Sequence, residues 1–422
     1  MNTCHKTGLR IGLISYRSNP HCGGQGVYIR HLSHALSDLG HRVEVIAGPP
    51  DPQLTIGPQD NIKLSMLETL DLYNPEDLFR TPRLNELKDP VNLLEWLDIC
   101  AMGYPEPLTF GMRVKRFMKD RTKGLDIIHD NQTLAYGIRS LARQMPVTAT
   151  IHHPMTVDRR IAVQSVRSFS KKLQALRWYS FIGMQKRVAR SLSSIITVSE
   201  NSKTDISREF NIPESKFRTI PIGIDLDNFY PLDHIKEIPG RLIVTNSADT
   251  PIKGLYHLLH ALSQLLKKGR DVSLTVIGTP KKGGGILGLV KKLDLGRHID
   301  FTGRIDHHRF VQEYARSQIA VVPSMYEGFG LPVGEAMACR VPVISTTGGA
   351  LPEVAGDAAK LVPPGDAQAL ASAIEALLDD ERQREALAQK GYERVTTEFT
   401  WEKTAIKTVA AYQEVIDDYR GL

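Results

Sequence analysis

Two glutamates flank a glycine-rich turn in the segment SMYEGFGLPVGEAMA, residues 324–338. Glu327 and Glu335 are separated by eight positions, and the apolar run IAVVPS before them predicts a buried strand. Pro332 suits the first turn of a helix, where its missing N–H is not needed. The main-chain amides between the two glutamates then lie at a helix N-terminus, which is a site that attracts anions.

The two carboxylates restrict the kind of ligand that this turn would bind. A carboxylate does not favour phosphate, but it accepts hydrogen bonds from two neighbouring hydroxyl groups. Gly328 and Gly330 let the backbone approach a ligand without interference from a Cβ atom. A ligand with hydroxyl groups on both sides of a diphosphate is a nucleotide sugar, so we expect such a donor here. The alternative interpretation is an ordinary strand-to-helix turn with two solvated glutamates.

The run EGFGLPVGEA resembles the signature of the family 4 retaining glycosyltransferases, which have the GT-B architecture. The resemblance extends over most of the chain and is poor in 51–120. It implies an α/β fold with two Rossmann-like doubly wound domains facing a cleft. It also implies that Glu327 contacts the donor sugar and that Glu335 holds the ribose hydroxyls. The loop between them would bind the donor through Gly328, Phe329, Gly330 and Leu331.

A second glycine-rich turn, SNPHCGGQGVYIRHLSHAL at 18–36, follows the first predicted strand and opens a helix. Its donor-binding candidates are Gly23, Gly24, Gln25 and Gly26. The resemblance implies that this loop closes over the donor diphosphate from the N-terminal domain. A dinucleotide fingerprint is the rival interpretation, but the spacing is not G-x-G-x-x-G, and Glu44 lies inside the second strand rather than at its end.

Adjacent histidines, His152 and His153, end the predicted strand TATIHH. The resemblance implies a histidine near the reacting centre at His152, and His153 is the second choice. No third ligand with suitable spacing accompanies them, so a zinc site is not expected. Asp225 and Asp227 have the D-x-D spacing of metal-dependent glycosyltransferases, but they fall in an interdomain linker and are interpreted as a turn. We therefore expect no metal and no cofactor beyond the nucleotide sugar, which is a co-substrate.

Lys253 lies in the turn that follows the first strand of the second predicted domain. The resemblance implies that it neutralises charge on the departing diphosphate and so contributes to catalysis with Glu327. Members of the family usually carry an arginine five or six residues earlier, where this sequence has Ser247 and Ala248. Either Arg304 substitutes for it or the diphosphate is bound with one charge fewer. Gly278 follows another predicted strand and is expected to border the base.

Strand and helix signals alternate along the chain, which predicts parallel sheets covered on both faces. We predict an N-terminal acceptor domain at 1–225, a nucleotide-sugar domain at 226–400 and a C-terminal helix at 401–422 that packs back on the first domain. Residues 51–120 break the alternation, because the stretch 71–110 contains five prolines and no clear strand. This insertion is expected to form its own helices and to serve as an acceptor pocket, a lid or a surface decoration.

The net charge of +6 is concentrated in two basic stretches, 113–123 and 167–191. The second stretch is either a surface helix with one buried face or a basic amphipathic patch that touches anionic lipid or a polyanionic acceptor. No nucleic-acid motif accompanies the charge, so nucleic acid is not an expected partner. Scattered cysteines and the lack of a long apolar run predict a cytoplasmic protein, with peripheral contact at the inner face of the membrane as an open alternative.

The resemblance to family 4, together with these patterns, implies a retaining glycosyltransferase. It would move a hexose from a UDP- or GDP-linked donor to a hydroxyl acceptor such as a lipid, a glycan or a small molecule. A sugar-nucleotide 2-epimerase of the same fold is the main alternative. An NAD-dependent dehydrogenase and a non-catalytic binding module are weaker ones.

Overall fold

The computed structural model describes residues 8–18, 24–74, 77, 80–166, 168–245, 250–281 and 283–421. Within them the chain forms two compact units. The first comprises residues 1–198, 203–220 and 401–422, and the second comprises residues 199–202 and 221–400. Each unit contains one sheet, in which every neighbouring pair of strands is parallel.

The sheet of the first unit has seven strands in the order β3-β2-β1-β4-β5-β6-β7. Its inner strands β1, β4 and β5 are buried along almost their whole length, as expected when helices cover both faces, and β4 and β5 also bury polar side chains. The strands are β1 (Arg10–Ser15), β2 (Arg42–Ala47), β3 (Ile62–Met66), β4 (Ile127–Asn131), β5 (Val147–Ile151), β6 (Ile195–Thr197) and β7 (Phe217–Thr219). The accompanying helices are α1 (Gly24–Asp38), α2 (Pro90–Cys100), α3 (Glu106–Phe117), α4 (Tyr136–Leu141), α5 (Met155–Ser165), α6 (Phe169–Trp178), α7 (Ile182–Ser191) and α8 (Glu200–Phe210). The first three residues of α8, 200–202, belong to the second unit.

The sheet of the second unit has six strands in the order β10-β9-β8-β11-β12-β13. The strands are β8 (Ile238–Thr245), β9 (Ser273–Ile277), β10 (Ile299–Gly303), β11 (Ser317–Val322), β12 (Val343–Thr346) and β13 (Ala359–Val362). The helices are α9 (Leu255–Lys267), α10 (Gly285–Lys292), α11 (His307–Ala315), α12 (Leu331–Ala338), α13 (Leu351–Ala355), α14 (Ala367–Asp379) and α15 (Glu381–Glu398). Both sheets follow the doubly wound order, which reverses between β1 and β4 and between β8 and β11. The predicted pair of Rossmann-like domains is confirmed.

The last helix, α16 (Trp401–Arg420), belongs to the first unit. It packs on α1, where Trp401 stacks on His31 with ring centroids 5.2 Å apart. Farther along, the hydroxyl of Tyr412 lies 2.6 Å from Nδ1 of His129 on β4, and both side chains are buried. The predicted return of the C-terminal helix to the N-terminal domain is confirmed.

The first part of the predicted insertion, 51–120, contains a strand that the sequence did not predict. Ile62–Met66 forms β3, which pairs with β2 in parallel, and the described residues 48–61 between the two strands contain no helix. The strand–helix alternation therefore breaks before β3, as predicted, but the insertion contains a strand that the sequence did not indicate. The strand escaped notice because its pattern, IKLSM, is short and half polar. The remainder contains α2 and α3, so the insertion does form helices of its own.

The basic stretches have different surroundings. Arg113 on α3 is buried and pairs with Glu95 at 2.5 Å. The stretch 167–191 is two helices rather than one: α7 buries Ile182 and Val188, whereas no residue of α6 that the structure describes is buried. The prediction of a surface helix with one buried face is therefore confirmed for α7 and wrong for α6.

Among the described residues, no helix combines the length and the apolar character needed to cross a membrane.

Candidate active site

In the second unit, Lys253 and Glu327 meet beside the carboxyl end of β11. Lys253 Nζ donates to Glu327 Oε1 at 2.7 Å, and the hydroxyl of Ser324 donates to the same oxygen at 2.7 Å. The Glu327 side chain is only 13% exposed, so this carboxylate is held in one position by two donors. The structure thus brings together two residues that the sequence predicted as catalytic, although they are separated by 74 positions.

The turn that carries Lys253 depends on a glycine. The 3-10 helix Pro251–Lys253 ends at Gly254, whose φ is 70°. A Cβ atom at Gly254 would lie 1.9 Å from the carbonyl oxygen of Pro323, so a side chain at this position would push the turn away from the end of β11. The amide of Met325 also donates to the carbonyl of Ile252 at 2.7 Å, which fixes the lysine turn against the glutamate loop.

The predicted donor loop leads directly into a helix. Helix α12 begins at Leu331 with Pro332 in its first turn and with Gly330, at φ 116°, as its N-cap. The amides of this loop therefore lie at a helix N-terminus, where a phosphate is stabilised. Two hydroxyl groups, from Ser199 and Ser202 of the same unit, donate to the carbonyl oxygen of Gly328 at 2.7 and 2.9 Å. These two bonds hold the backbone of the loop in place, and the binding roles of Gly328, Phe329, Gly330 and Leu331 stay predictions.

Glu335 lies one turn into α12, in the same electrostatic cluster as Lys253 and Glu327. Burial and, to a smaller extent, the negative charges of Asp225 and Glu327 together raise the pKa of Glu335 to about 7, against the opposing effect of Lys253. Near neutral pH this carboxyl group therefore exists in both protonation states. It can both accept and donate a hydrogen bond, which suits the hydroxyl groups of a ribose.

Asp225 closes a turn, as the sequence predicts. Its carboxylate accepts from the amide and the side chain of Asn228 at 3.2 and 2.7 Å. Asp227 in the same turn is exposed. Within the described ranges, no cluster of three or more His, Cys, Asp or Glu side chains could hold a metal ion.

Gly278 and Arg304 lie at one edge of the second sheet. Gly278 follows β9 and forms an isolated bridge with Gly303 at the end of β10, which places Arg304 next to it along the chain. A small apolar crevice beside Gly278 is lined by Leu255, Val276, Thr279, Pro280, Ile286 and Phe301. Arg304 is exposed, and the described contacts do not join it to Lys253. Ser247 and Ala248, where an arginine was expected, lie outside the described residues.

In the first unit, His152 follows β5 and is joined to the start of α1 through one side chain. Asn131, at the end of β4, accepts from His152 Nε2 at 2.8 Å and donates to the carbonyl oxygen of Gln25 at 3.1 Å. Because the oxygen of Asn131 can only accept, the proton of the neutral imidazole lies on Nε2. Gly24, Gln25 and Gly26 form the first turn of α1, and Gly23 lies outside the described residues.

His152 is a neutral group, whereas His153 has a carboxylate partner. Burial lowers the pKa of His152 to about 3, with smaller contributions from His153 and His129. The ring of Tyr28 packs edge-on against it, with centroids 4.9 Å apart. His153 is 31% exposed, and its Nε2 lies 2.7 Å from Asp158. A neutral, fixed imidazole can orient a hydroxyl group but cannot act as a cation near the physiological range.

Sequence reasoning missed the two residues that position His152. Besides Asn131, Gln132 accepts from the amide of His152 at 2.8 Å and donates to the carbonyl of His153 at 3.2 Å. Gln132 has a φ of 58°, an unusual backbone conformation for a non-glycine residue. The sequence feature that could have identified Asn131 and Gln132 is the polar run HDNQT, which ends a buried parallel strand at the edge of the sheet where ligands bind.

Comparison with known proteins decides the family. The model for "Glycosyltransferase Family 4" matches residues 22–228, and the model for "Glycosyl transferases group 1" matches residues 236–394. An MMP alpha-(1->4)-mannosyltransferase from Mycolicibacterium hassiacum is 39% identical over 97% of this chain and 98% of its own length. The chain belongs to the family 4 glycosyltransferases. The enzymes of this family transfer sugars, so the candidate site belongs to a glycosyltransferase.

Solved structures agree with the fold. Sucrose-phosphate synthase from Thermosynechococcus elongatus superposes with a TM-score of 0.74 at 26% identity, covering 97% of this chain and all of its own. Anabaena HepE, solved in complex with UDP and glucose, superposes with a TM-score of 0.67 at 16% identity, covering 96% of this chain and 99% of its own. The second likeness concerns the fold alone.

Proposed function

We propose that this glycosyltransferase moves a hexose from a UDP- or GDP-linked donor to a hydroxyl acceptor with retention of configuration. The observation that carries the proposal is the contact of Lys253 with Glu327, which stands on the loop whose amides lead into the N-terminus of α12. The contact brings together a cation, a carboxylate and aligned amide dipoles in the second unit. A diphosphate bound to a sugar needs all three.

The proposed reaction breaks the bond between the anomeric carbon and the diphosphate and forms a bond from that carbon to the acceptor oxygen on the same face. The acceptor proton passes to the departing diphosphate. Lys253 and the α12 amides stabilise the negative charge that develops on this leaving group, which favours the transition state over the ground state. Glu327 binds sugar hydroxyls, Glu335 binds the ribose, and neutral His152 orients a hydroxyl near the reacting carbon.

The mannosyltransferase relative makes mannose the first hexose to test. The direct experiment is a release assay with UDP- and GDP-linked mannose and glucose, with and without acceptors, followed by NMR assignment of the product anomer.

Because Lys253 supplies the positive charge that a metal supplies in other transferases, we propose that transfer continues in EDTA. Loss of transfer in EDTA, restored by a divalent cation, would contradict that role.

The variant Glu327→Ala tests the role of the Lys253–Glu327 contact. Transfer should fall by at least a hundredfold while the far-ultraviolet circular dichroism spectrum stays unchanged, because a fixed hydrogen-bond acceptor for the donor is lost. Glu385→Ala, at an exposed position on α15, is the matched control and should keep full activity. Transfer by Glu327→Ala within threefold of the parent enzyme would refute the proposal.

A sugar-nucleotide 2-epimerase is the alternative that uses the same kind of groups. It would convert the donor without any acceptor and would release the free 2-epimer or its nucleotide. The same assay separates the two functions, because a transferase produces a glycoside only when an acceptor is present. Accumulation of the 2-epimer in the absence of acceptor would favour the epimerase.

We also propose peripheral contact of α6 with an anionic membrane surface. Phe169, Leu173 and Leu176 are 81%, 59% and 47% exposed and lie on one face of the helix, with Lys172 beside them. An apolar stripe next to positive charge is typical of helices that lie in the headgroup region. Sedimentation with phosphatidylcholine vesicles, with and without phosphatidylglycerol, tests this contact. Leu173→Ser should weaken binding to the anionic vesicles, whereas Leu84→Ser, at another exposed leucine, should not.

A further inference from the structure

Three aromatic side chains of the first unit form a cluster outside its core. Tyr73 and Tyr104 come from the insertion, and Trp178 comes from the end of α6. The rings of Tyr104 and Trp178 stack at 4.9 Å with planes 28° apart, and Tyr73 lies 5.2 Å from Tyr104 and 5.6 Å from Trp178. We call Tyr73, Tyr104 and Trp178 the aromatic cluster.

The aromatic cluster lies at the border of the hydrophobic core, where Tyr104 contacts buried Phe181 with ring centroids 5.4 Å apart. None of the three clustered rings is among the buried residues of this unit. Trp178 remains 38% exposed, and it lies on a helix that buries none of its described residues. Tyr73 and Tyr104 are half-buried, so Trp178 supplies the exposed part of the cluster, to which a ligand with an apolar face can bind.

A charged edge borders the aromatic cluster. The hydroxyl of Tyr104 donates to Glu106 Oε2 at 2.8 Å, and Arg17 lies 3.4 Å from the same oxygen and 5.6 Å from the ring centre of Tyr73. Among the described residues, both of these contacts involve Oε2, so Oε1 of Glu106 can accept from a ligand. Burial raises the pKa of Glu106 to about 7, against the opposing effects of Arg17 and Tyr104.

The same cluster adjoins the glycine turn at the start of α1. Tyr16 and Arg17 directly follow β1, at the carboxyl edge of the sheet next to the point where its strand order reverses. The Tyr16 side chain interacts with both Tyr104 and Gln25. Since Asn131 links Gln25 to His152, a continuous set of contacts runs from the aromatic cluster to the proposed catalytic histidine.

We infer that the aromatic cluster, with Glu106 and Arg17 at its edge, is a subsite for a pyranose ring of a carbohydrate acceptor. This inference rests on the proposed function, because it names the acceptor class of the same site. A pyranose has an apolar face of C–H groups, which stacks on an aromatic ring, and a rim of hydroxyl groups, which hydrogen-bond to carboxylate and guanidinium. The inference assigns the insertion to acceptor binding rather than to decoration.

A lipid chain is a poorer match for this surface. Covering the Glu106–Arg17 pair with hydrocarbon would remove water from two charged groups without supplying hydrogen bonds in return. A sugar ring covers the same rings and replaces the lost water with hydroxyl groups. The stripe of Phe169, Leu173 and Leu176 on α6 offers more exposed apolar surface than the cluster, which is why the membrane contact is proposed there.

Saturation-transfer NMR on the full chain tests the subsite directly, with α-linked oligomers of two to four mannose or glucose units as probes. Trp178→Ala should weaken binding of the preferred oligomer at least tenfold, and Trp178→Phe should restore most of it. Tyr104→Phe removes only the hydroxyl and should weaken binding about threefold. Tyr256→Ala, at an exposed tyrosine of the second unit, is the control. Thermal melting checks that each variant is folded.

Kinetics separates this inference from the proposed function. In Trp178→Ala the acceptor KM should rise tenfold or more while the donor KM stays unchanged. If the enzyme transfers hexose but Trp178→Ala leaves the acceptor KM unchanged, the subsite is refuted and the function stands. If the oligomers bind at the cluster but no nucleotide sugar is consumed, the function fails and the subsite stands. Absence of binding by every oligomer, or displacement by phospholipid vesicles alone, would overturn the subsite.

Discussion

Lys253 Nζ donates to Glu327 Oε1 at 2.7 Å, and Ser324 holds the same oxygen from the other side. In the proposed complex with a donor, the lysine turns toward the diphosphate and the carboxylate toward the sugar. In the structure, the charges of these two proposed donor-binding groups therefore neutralise each other. Ser324 keeps the glutamate in position when the lysine leaves it.

Lys253→Ala should lower kcat by about a hundredfold to a thousandfold, because the leaving diphosphate loses its nearest positive charge. Glu327 also loses its ionic partner, so we expect the free energy of unfolding to fall by about 1 kcal/mol. Initial rates at saturating donor and urea denaturation measure the two effects. Lys292→Ala, at an exposed lysine of α10, should change neither. A kcat within threefold of the parent enzyme would remove Lys253 from the mechanism.

Glu335→Gln should change the pH dependence of stability. Burial and neighbouring Asp225 raise the pKa of Glu335 from 4.5 to about 7, so between these values the folded protein holds a proton that the unfolded chain has released. Stability from this group is therefore complete below about pH 4.5 and is lost as the pH rises to 7. Glutamine cannot release a proton, so the stability of the variant does not fall in this way as the pH rises.

The measurement for Glu335 is the difference in unfolding free energy between the parent enzyme and the variant from pH 4.5 to 7.5. We expect this difference to change by on the order of 3 kcal/mol across the window in favour of the variant at high pH. Glu385→Gln, an exposed counterpart, should give a flat difference. A flat difference for Glu335→Gln would show that the carboxyl group has an ordinary pKa.

Asn131→Ala should release His152 from its fixed orientation. We expect kcat to fall about tenfold with a smaller change in donor KM, since the imidazole would no longer be held in one tautomer and direction. Nitrogen-15 shifts of His152 should show mixed tautomers in the variant and a proton on Nε2 in the parent enzyme. Asn85→Ala, at an exposed position, is the control. A single unchanged tautomer in Asn131→Ala would assign the orientation to other neighbours.

Gly330→Ala should weaken donor binding and stability together. The backbone of Gly330 has a φ of 116°, and an added Cβ would lie 2.9 Å from the Leu351 side chain, so the start of α12 must shift. We expect a loss of about 1–3 kcal/mol in unfolding free energy. The contrasting variant is Gly288→Ala in α10, where a Cβ meets nothing within 4 Å and a gain of roughly 0.5–1 kcal/mol is expected. Equal effects of the two substitutions would contradict the conformational argument.

The part of the site that lies in one continuous segment was predictable from sequence. Gly330, Pro332 and the two glutamates occupy neighbouring positions, and their spacing alone places a helix start between two carboxylates. The doubly wound fold was predictable for the same reason, because alternating strand and helix patterns are local. The strand Ile62–Met66 within the insertion was not predictable, because a five-residue strand is identified by its pairing with β2.

Contacts between distant segments could not be predicted from spacing. Asn131 and Gln132 reach His152 because β4 and β5 are neighbours in register, which is a property of the sheet and not of either strand. The pairing of Lys253 with Glu327 likewise depends on the packing of Gly254 against the end of β11. The aromatic cluster joins Tyr73, Tyr104 and Trp178, and no pattern in the sequence connects these three positions.

The buried bond between Tyr412 and His129 has a consequence for anyone who recombines this enzyme with a relative. If the two parent sequences are joined at a single point between the two sheets, the chimera contains β4 from one parent and α16 from the other. Chimeras that exchange donor specificity should therefore use two junctions and transplant residues 221–400 as a cassette, so that the first and last segments of the chain always come from the same parent.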